Sequence, residues 1–180
     1  MLRTERLTLR PVTRDDIDAF LEFVGDAPMM EWIHGETGGR ELAEELVARW
    51  VRRWEANGVG PFAVLANGVV VGRTGVLVWD DRTWATAELA DAGEHAVYEL
   101  GWAFPSAYWG RGYATEAARA VREWAYAERG IERLISLIDP ANVRSIRVAV
   151  KLAAEPEQLV QTVHGPAIVW LHPYGQGPAR

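Results

Sequence analysis

The chain has 180 residues, 49% hydrophobic and 24% charged, with a formal net charge of −6 at pH 7 and no cysteine. That size and apolar content suit one domain over residues 1–180 with an ample core, and the acidic balance, without a basic stripe, argues against a nucleic-acid partner. Zero cysteine excludes a disulfide framework, a zinc–thiolate site and a thiol nucleophile, while the lack of any apolar export core or long apolar run points to a cytoplasmic protein with no membrane partner.

Residues 6–12 alternate apolar and polar as a strand does, and Thr13, Asp15 and Asp16 offer an N-cap and an acidic first turn for a helix to about Gly25. Residues 29–39, with Trp32, His34 and three glycines, read as an irregular loop. Leu42, Leu46, Val47, Trp50 and Trp54 then recur at helical spacing over residues 40–57, with Gly58 as the stop. Residues 62–66 and 69–79 are β-rich runs joined by Asn67-Gly68, a type I′ hairpin signal.

A polar connection over residues 80–96 leads into a strand at 97–104. Beyond it, Ala114, Ala117, Ala118, Val121, Trp124 and Ala125 form a narrow helical stripe of mostly small residues, suited to close packing on a sheet. A short strand at 133–138 and a second helix at 142–152 make residues 97–152 read β-α-β-α, the first β-α-β being a parallel, right-handed crossover. Residues 158–163 and 167–172 form a last hairpin around His164-Gly165-Pro166.

The most informative segment is Trp109-Gly110-Arg111-Gly112-Tyr113-Ala114-Thr115-Glu116-Ala117-Ala118, which places a bare-backbone turn where a helix begins. Unpaired N–H groups and a partial positive charge at such a terminus favour a phosphate, and glycines let it approach the main chain. A Walker loop is excluded because no Lys-Ser/Thr pair follows Gly112, and only two of the three glycines of a dinucleotide fingerprint are present.

The segment resembles motif A of the GNAT superfamily of acyl-CoA-dependent N-acyltransferases. With Asp139-Pro140-Ala141-Asn142-Val143-Arg144-Ser145 and Val150-Lys151-Leu152 downstream, it looks like the branch containing RimJ/RimL-type ribosomal-protein N-terminal acetyltransferases. The match is strongest over residues 97–153, and Arg3 to Pro11 resembles the branch's opening strand. The resemblance implies an α/β fold with a mixed, mostly antiparallel central sheet, a splayed parallel pair, and flanking helices. It implies acetyl-CoA as acyl donor, no metal, and an acceptor amine that is either a protein N-terminus or a small molecule, with a homodimer possible. A longer donor such as succinyl-CoA, or a non-catalytic acyl-CoA-binding module, are the alternatives.

Carried over by position, Trp102, Ala103 and Phe104 match the strand end whose backbone bonds the acyl-CoA arm, although alternate strand residues are equally core positions. Gly110, Arg111, Gly112, Tyr113, Ala114 and Thr115 match the pyrophosphate cradle. Asn142 matches a cofactor contact and also suits a helix N-cap; Ser145 is placed to reach the thioester sulfur or to cap a backbone group. Glu99 is the leading base, its pKa expected to rise on burial, with Tyr98 at the alternative position. The tyrosine that several relatives use to protonate the thiolate is replaced by Ala149, and the usual Lys-Leu-Gly stop is Lys151-Leu152-Ala153. Trp32, His34, Glu36, Trp79 and Trp84 are expected to line the acceptor side, where nearby acids would favour a cationic amine. His34, His95, His164 and His172 show no metal-ligand spacing.

Overall fold

The structure is a computed structural model that describes residues 1–33 and 35–174. Among these residues the strands are β1 (Leu2–Arg3), β2 (Leu7–Pro11), β3 (Pro61–Ala66), β4 (Val69–Asp80), β5 (Ala85–Thr86), β6 (Ala96–Ala103), β7 (Leu134–Ile138), β8 (Glu155–Thr162) and β9 (Gly165–Leu171). The helices are α1 (Leu21–Gly25), α2 (Ala27–Met30), α3 (Arg40–Asn57), α4 (Leu89–Ala92), α5 (Tyr113–Arg129) and α6 (Val143–Lys151). One sheet runs β1-β2-β3-β4-β6-β7-β9-β8, with β5 paired to β4, and every pairing is antiparallel except β6 with β7.

Strand alternation sorts the core onto two faces. Phe62, Val64, Leu100 and Phe104 pack with α5, whose Ala117, Ala118, Val121, Trp124 and Ala125 are buried, as the small-residue stripe predicts. Ala63 and Ala103 point to the other face and meet α3, where Trp50 sits edge-on to Phe20 at 4.9 Å and to Phe23 at 5.8 Å. Each such buried aromatic contributes roughly 1.5–3 kcal/mol of hydrophobic stabilisation. Asn67 (φ 50°) and Gly68 (φ 80°) both take the left-handed conformation that a type I′ turn demands.

Three expectations need correction. The helix expected over 13–25 is broken, because Arg10 of β2 grips the Asp16 carboxylate at 2.5 and 2.7 Å and pulls it inward. The acidic turn is consequently a 3-10 turn over Arg14–Asp16, and α-helix resumes only at Leu21. The loop expected at 29–39 begins with ordered turns: Met29 and Met30 are buried at the end of α2, and Glu31–Ile33 is a 3-10 turn, while His34 lies outside the described residues. The connection at 80–96 contains β5, α4 and a 3-10 turn at Gly93–His95. At the end of α6, Ala153 keeps the left-handed stop (φ 57°) without the glycine that makes it easy.

Candidate active site

β6 and β7 are in register only at Tyr98↔Leu134 and Glu99↔Ile135. Beyond that point β6 stays with β4 as far as Ala103↔Arg73, and β7 stays with β9 as far as Ile138↔Ile168, so the parallel pair forks. The Ser136 hydroxyl donates to the Leu100 carbonyl across the fork at 2.5 Å, and Ser136 Oγ lies 2.9 Å from Nε2 of the buried His172. A cleft of about 630 Å³ opens there, walled by Gly101, Trp102, Ala103 and Phe104 on one side and Leu137 and Ile138 on the other.

The glycine turn opens onto the same cleft. Gly110 (φ 75°) and Gly112 (φ 82°) hold left-handed backbone; a Cβ at Gly110 would meet nothing within 4 Å, and one at Gly112 only Arg6 Nη2 at 3.2 Å. Gly112 is the N-cap of α5 yet supplies no side-chain cap, in contrast to α6, whose Asn142 accepts from the Ser145 N–H at 3.0 Å. A long helix thus presents uncapped N–H groups and its positive dipole end to a cavity, which fits a pyrophosphate.

Glu116 in the first turn of α5 fixes the turn to the N-terminal strand region. It accepts from the Thr4 hydroxyl at 2.5 Å, the Arg6 N–H at 2.9 Å and Arg6 Nε at 2.7 Å, while Arg6 Nη1 donates to the Arg111 carbonyl at 2.9 Å. Burial alone would raise the Glu116 pKa, but these bonds hold it below the ordinary glutamate value.

Glu99 is buried at the fork and accepts from Trp79 Nε1 at 2.7 Å. Burial pushes its carboxyl above the usual glutamate range, against the pull of the Trp79 bond and the charges of Arg73 and Arg53. Such a carboxyl suits proton transfer near neutral pH.

The profile of the Acetyltransferase (GNAT) domain family matches residues 6–155. The chain belongs to the GNAT acetyltransferase family. It is 30% identical over 178 residues to protein YkkB of Bacillus subtilis (strain 168), covering 94% of this chain and 93% of that one. It is 25% identical over 166 residues to aminoglycoside N(6')-acetyltransferase type 1 of Klebsiella pneumoniae, covering 91% of this chain and 81% of that one. The structure of AAC(6')-Ib in complex with Parmomycin and AcetylCoA shares the fold at a TM-score of 0.77 and 19% identity, covering 97% of this chain and all of that one (100%).

Of the positions assigned from sequence to this GNAT protein, Glu99, Ser145, Trp102, Ala103, Phe104, Gly110, Gly112, Tyr113, Ala114, Thr115 and Asn142 all line the one cleft. Arg111 does not: its guanidinium lies 5.6 Å above the Tyr108 ring, and its contribution to the turn is through its backbone. Asn142 fills both of its expected places, capping α6 and lining the cleft. Ala149 is fully buried against Ile138, Ala154 and Trp170, so its position offers no phenol.

On the acceptor side, Trp32 and Trp79 line the cleft, whereas Glu36 and Trp84 do not. The acids of the 80–96 connection do not line this wall, but Glu88 and Asp91 line an adjoining pocket that shares Arg49, Arg53 and Thr86 with it. Among the described residues the carboxylates of the cleft are Glu99 and Asp139, and its α3 face carries Arg49, Arg53 and Arg73. Arg73 went unnoticed in the sequence, although a lone charge amid the apolar run of β4 is a legible anomaly. Glu116, Ser136 and His172 were missed because their partners are distant in the chain.

Proposed function

We propose that this GNAT protein transfers the acetyl group of acetyl-CoA to a primary amine by direct attack in a ternary complex, acting as one cytoplasmic domain over residues 1–180. The observation that carries the reading is the uncapped, glycine-led start of α5 opening onto the cleft in which β6 and β7 part beside Glu99. Gly110 to Thr115 would receive the pyrophosphate on bare backbone, and the backbone of Trp102, Ala103 and Phe104, together with Asn142, would hold the acyl arm in the fork. Ionised Glu99 takes the proton of the attacking amine, directly or through water. A backbone N–H of the forked strands steadies the developing oxyanion. As the new N–C bond forms and the C–S bond breaks, the hydroxyl of Ser145, which lines the same cleft, passes a proton to the departing thiolate and is itself reprotonated by water, while the proton taken by Glu99 is released to solvent.

Two acceptor classes fit this chemistry. The RimJ/RimL-like wording of the motif supports a protein N-terminal α-amine, and the aminoglycoside-modifying relative supports a small-molecule amine. A non-catalytic acyl-CoA-binding module is the rival reading, favoured by the buried Ala149 in place of a phenol. Transfer driven by positioning and oxyanion stabilisation does not need that phenol.

Thermal unfolding with acetyl-CoA, NAD or ATP at equal concentration tests the donor. Acetyl-CoA at 100 times its Kd should add about 2.7 kcal/mol, a rise of several degrees for a domain of this size, while NAD and ATP add little. No rise with acetyl-CoA would overturn the reading. Glu99→Gln should abolish turnover and preserve that rise; an enzyme that never turns over any amine while binding acetyl-CoA would favour the rival.

A further inference from the structure

Arg73 and Arg53 are two charged groups on the α3 side of the cleft that acetyl-CoA leaves unexplained. Residues 73 and 103 are cross-strand partners on the face of Ala63 and Ala103, which packs on α3, and the Arg73 guanidinium lies 5.5 Å over the Trp50 ring of that helix. The start of α5 packs on the opposite face, so the two arginines stand across the sheet from the phosphate cradle. Among the described residues neither forms an ion pair within 4.0 Å, whereas the neighbouring Arg49 is engaged by Glu45 at 2.5 Å. Arg73 Nε is buried with no hydrogen-bond partner. Burial pushes the Arg73 guanidinium down to about 10 against the charge of Glu99, and Arg53 is also lowered, by burial first and then by Arg49, against the charges of Glu99 and Glu88.

Glu99 offsets only part of the charge of these two guanidiniums and is in ion-pair contact with neither, so a buried donor at Arg73 is left unmet, and leaving it so is costly unless an anion supplies the acceptor. Gly101 supplies the room: a Cβ there would lie 3.6 Å from Glu99 Oε1 and 3.8 Å from Arg73 Nη1. The carboxyl and the guanidinium therefore flank the cleft at Gly101, close enough for one small molecule in the cleft to meet both. We propose that the acceptor is a small amine that carries a carboxylate, bound by Arg73 and Arg53 on the α3 face with its amine toward Glu99. This deepens, and rests on, the acetyl-transfer reading above. A guanidinium fork matches a carboxylate in geometry as well as charge, and the same pair repels polyamines and aminoglycosides.

The test uses the wild-type protein with acetyl-CoA and matched acceptors: the L-amino acids, their α-carboxamides, spermidine and kanamycin, read as CoA release. The expected result is turnover of one or more free acids, with KM about 10- to 100-fold higher for the matching amide. Arg73→Gln and, separately, Arg53→Gln should raise KM for the acid far more than for the amide, so that the acid-over-amide preference collapses, with the acetyl-CoA thermal shift intact. Preference for amides, spermidine or kanamycin, failure of every free acid, or a charge preference that appears only on the donor (succinyl-CoA over acetyl-CoA) would overturn the inference while leaving acyl transfer standing. Absence of an acetyl-CoA thermal shift would overturn both.

Discussion

Glu99 is held between opposing influences, and each can be varied by a single substitution. Burial raises its pKa, while the Trp79 N–H at 2.7 Å stabilises its charged form. If ionised Glu99 is the base, kcat/KM should fall toward low pH with a limb above the ordinary glutamate range. Trp79→Phe keeps an aromatic ring but removes a donor to the carboxylate, so the limb should move to higher pH with the acetyl-CoA thermal shift unaltered. A limb that stays in place would deny Trp79 this positioning role. The position of Glu99 was legible in the sequence because it lies on the strand leading to the glycine turn. Its partner was not, since Trp79 reaches it only through the register in which Leu77 opposes Glu99 and Trp79 opposes Val97.

At the scale of elements, α5 depends on a clamp at its first turn and α6 on a strained stop. Glu116→Ala removes the acceptor for Thr4 and Arg6, and should cost about 1–3 kcal/mol in urea unfolding and weaken acetyl-CoA binding by loosening the turn. Because the folded pKa of Glu116 is depressed, its contribution is intact at neutral pH and is lost as pH falls below the ordinary glutamate value. Ala153→Gly should stabilise the protein by about 1 kcal/mol, since the residue already sits at φ 57°; a loss of stability would show that the alanine methyl packs usefully there. Elements whose signals are local were readable: the Asn67-Gly68 hairpin, the apolar period of α3 and the alanine stripe of α5. The helix expected over 13–25 was not, because its fate is decided by Arg10 on β2, which holds the Asp16 carboxylate in the tertiary structure.

Across the whole molecule, the strands on either side of the fork are tied by Ser136 and His172, with the Tyr126 hydroxyl on α5 donating to the His172 carbonyl at 3.0 Å. Burial, with the nearby charge of Arg122, pushes the His172 pKa down to about 4. The unfolded chain therefore takes up this proton first, so the contribution is complete above the unfolded value near 6.5 and is lost as pH falls toward 4, by about 3 kcal/mol in all. The urea midpoint should decline between pH 6.5 and 4.5, before most carboxylates titrate, and His172→Gln should flatten that decline. A wild-type midpoint constant over this interval would show that His172 protonates without loss of packing.

The fork has one more consequence, for how the protein can vary without losing its ligand. If the acyl arm lies along backbone left unmatched where β6 and β7 separate, its recognition is recorded in peptide groups that every residue carries. Trp102 and Phe104 can then serve the core, and substitutions there change packing while the N–H and C=O groups remain. Proline alone among the substitutions would delete a donor. The donor end of such a site can persist through extensive drift in side chains, while an acceptor end built from side chains, as proposed for Arg53, Arg73 and Glu99, is free to be rewritten one residue at a time.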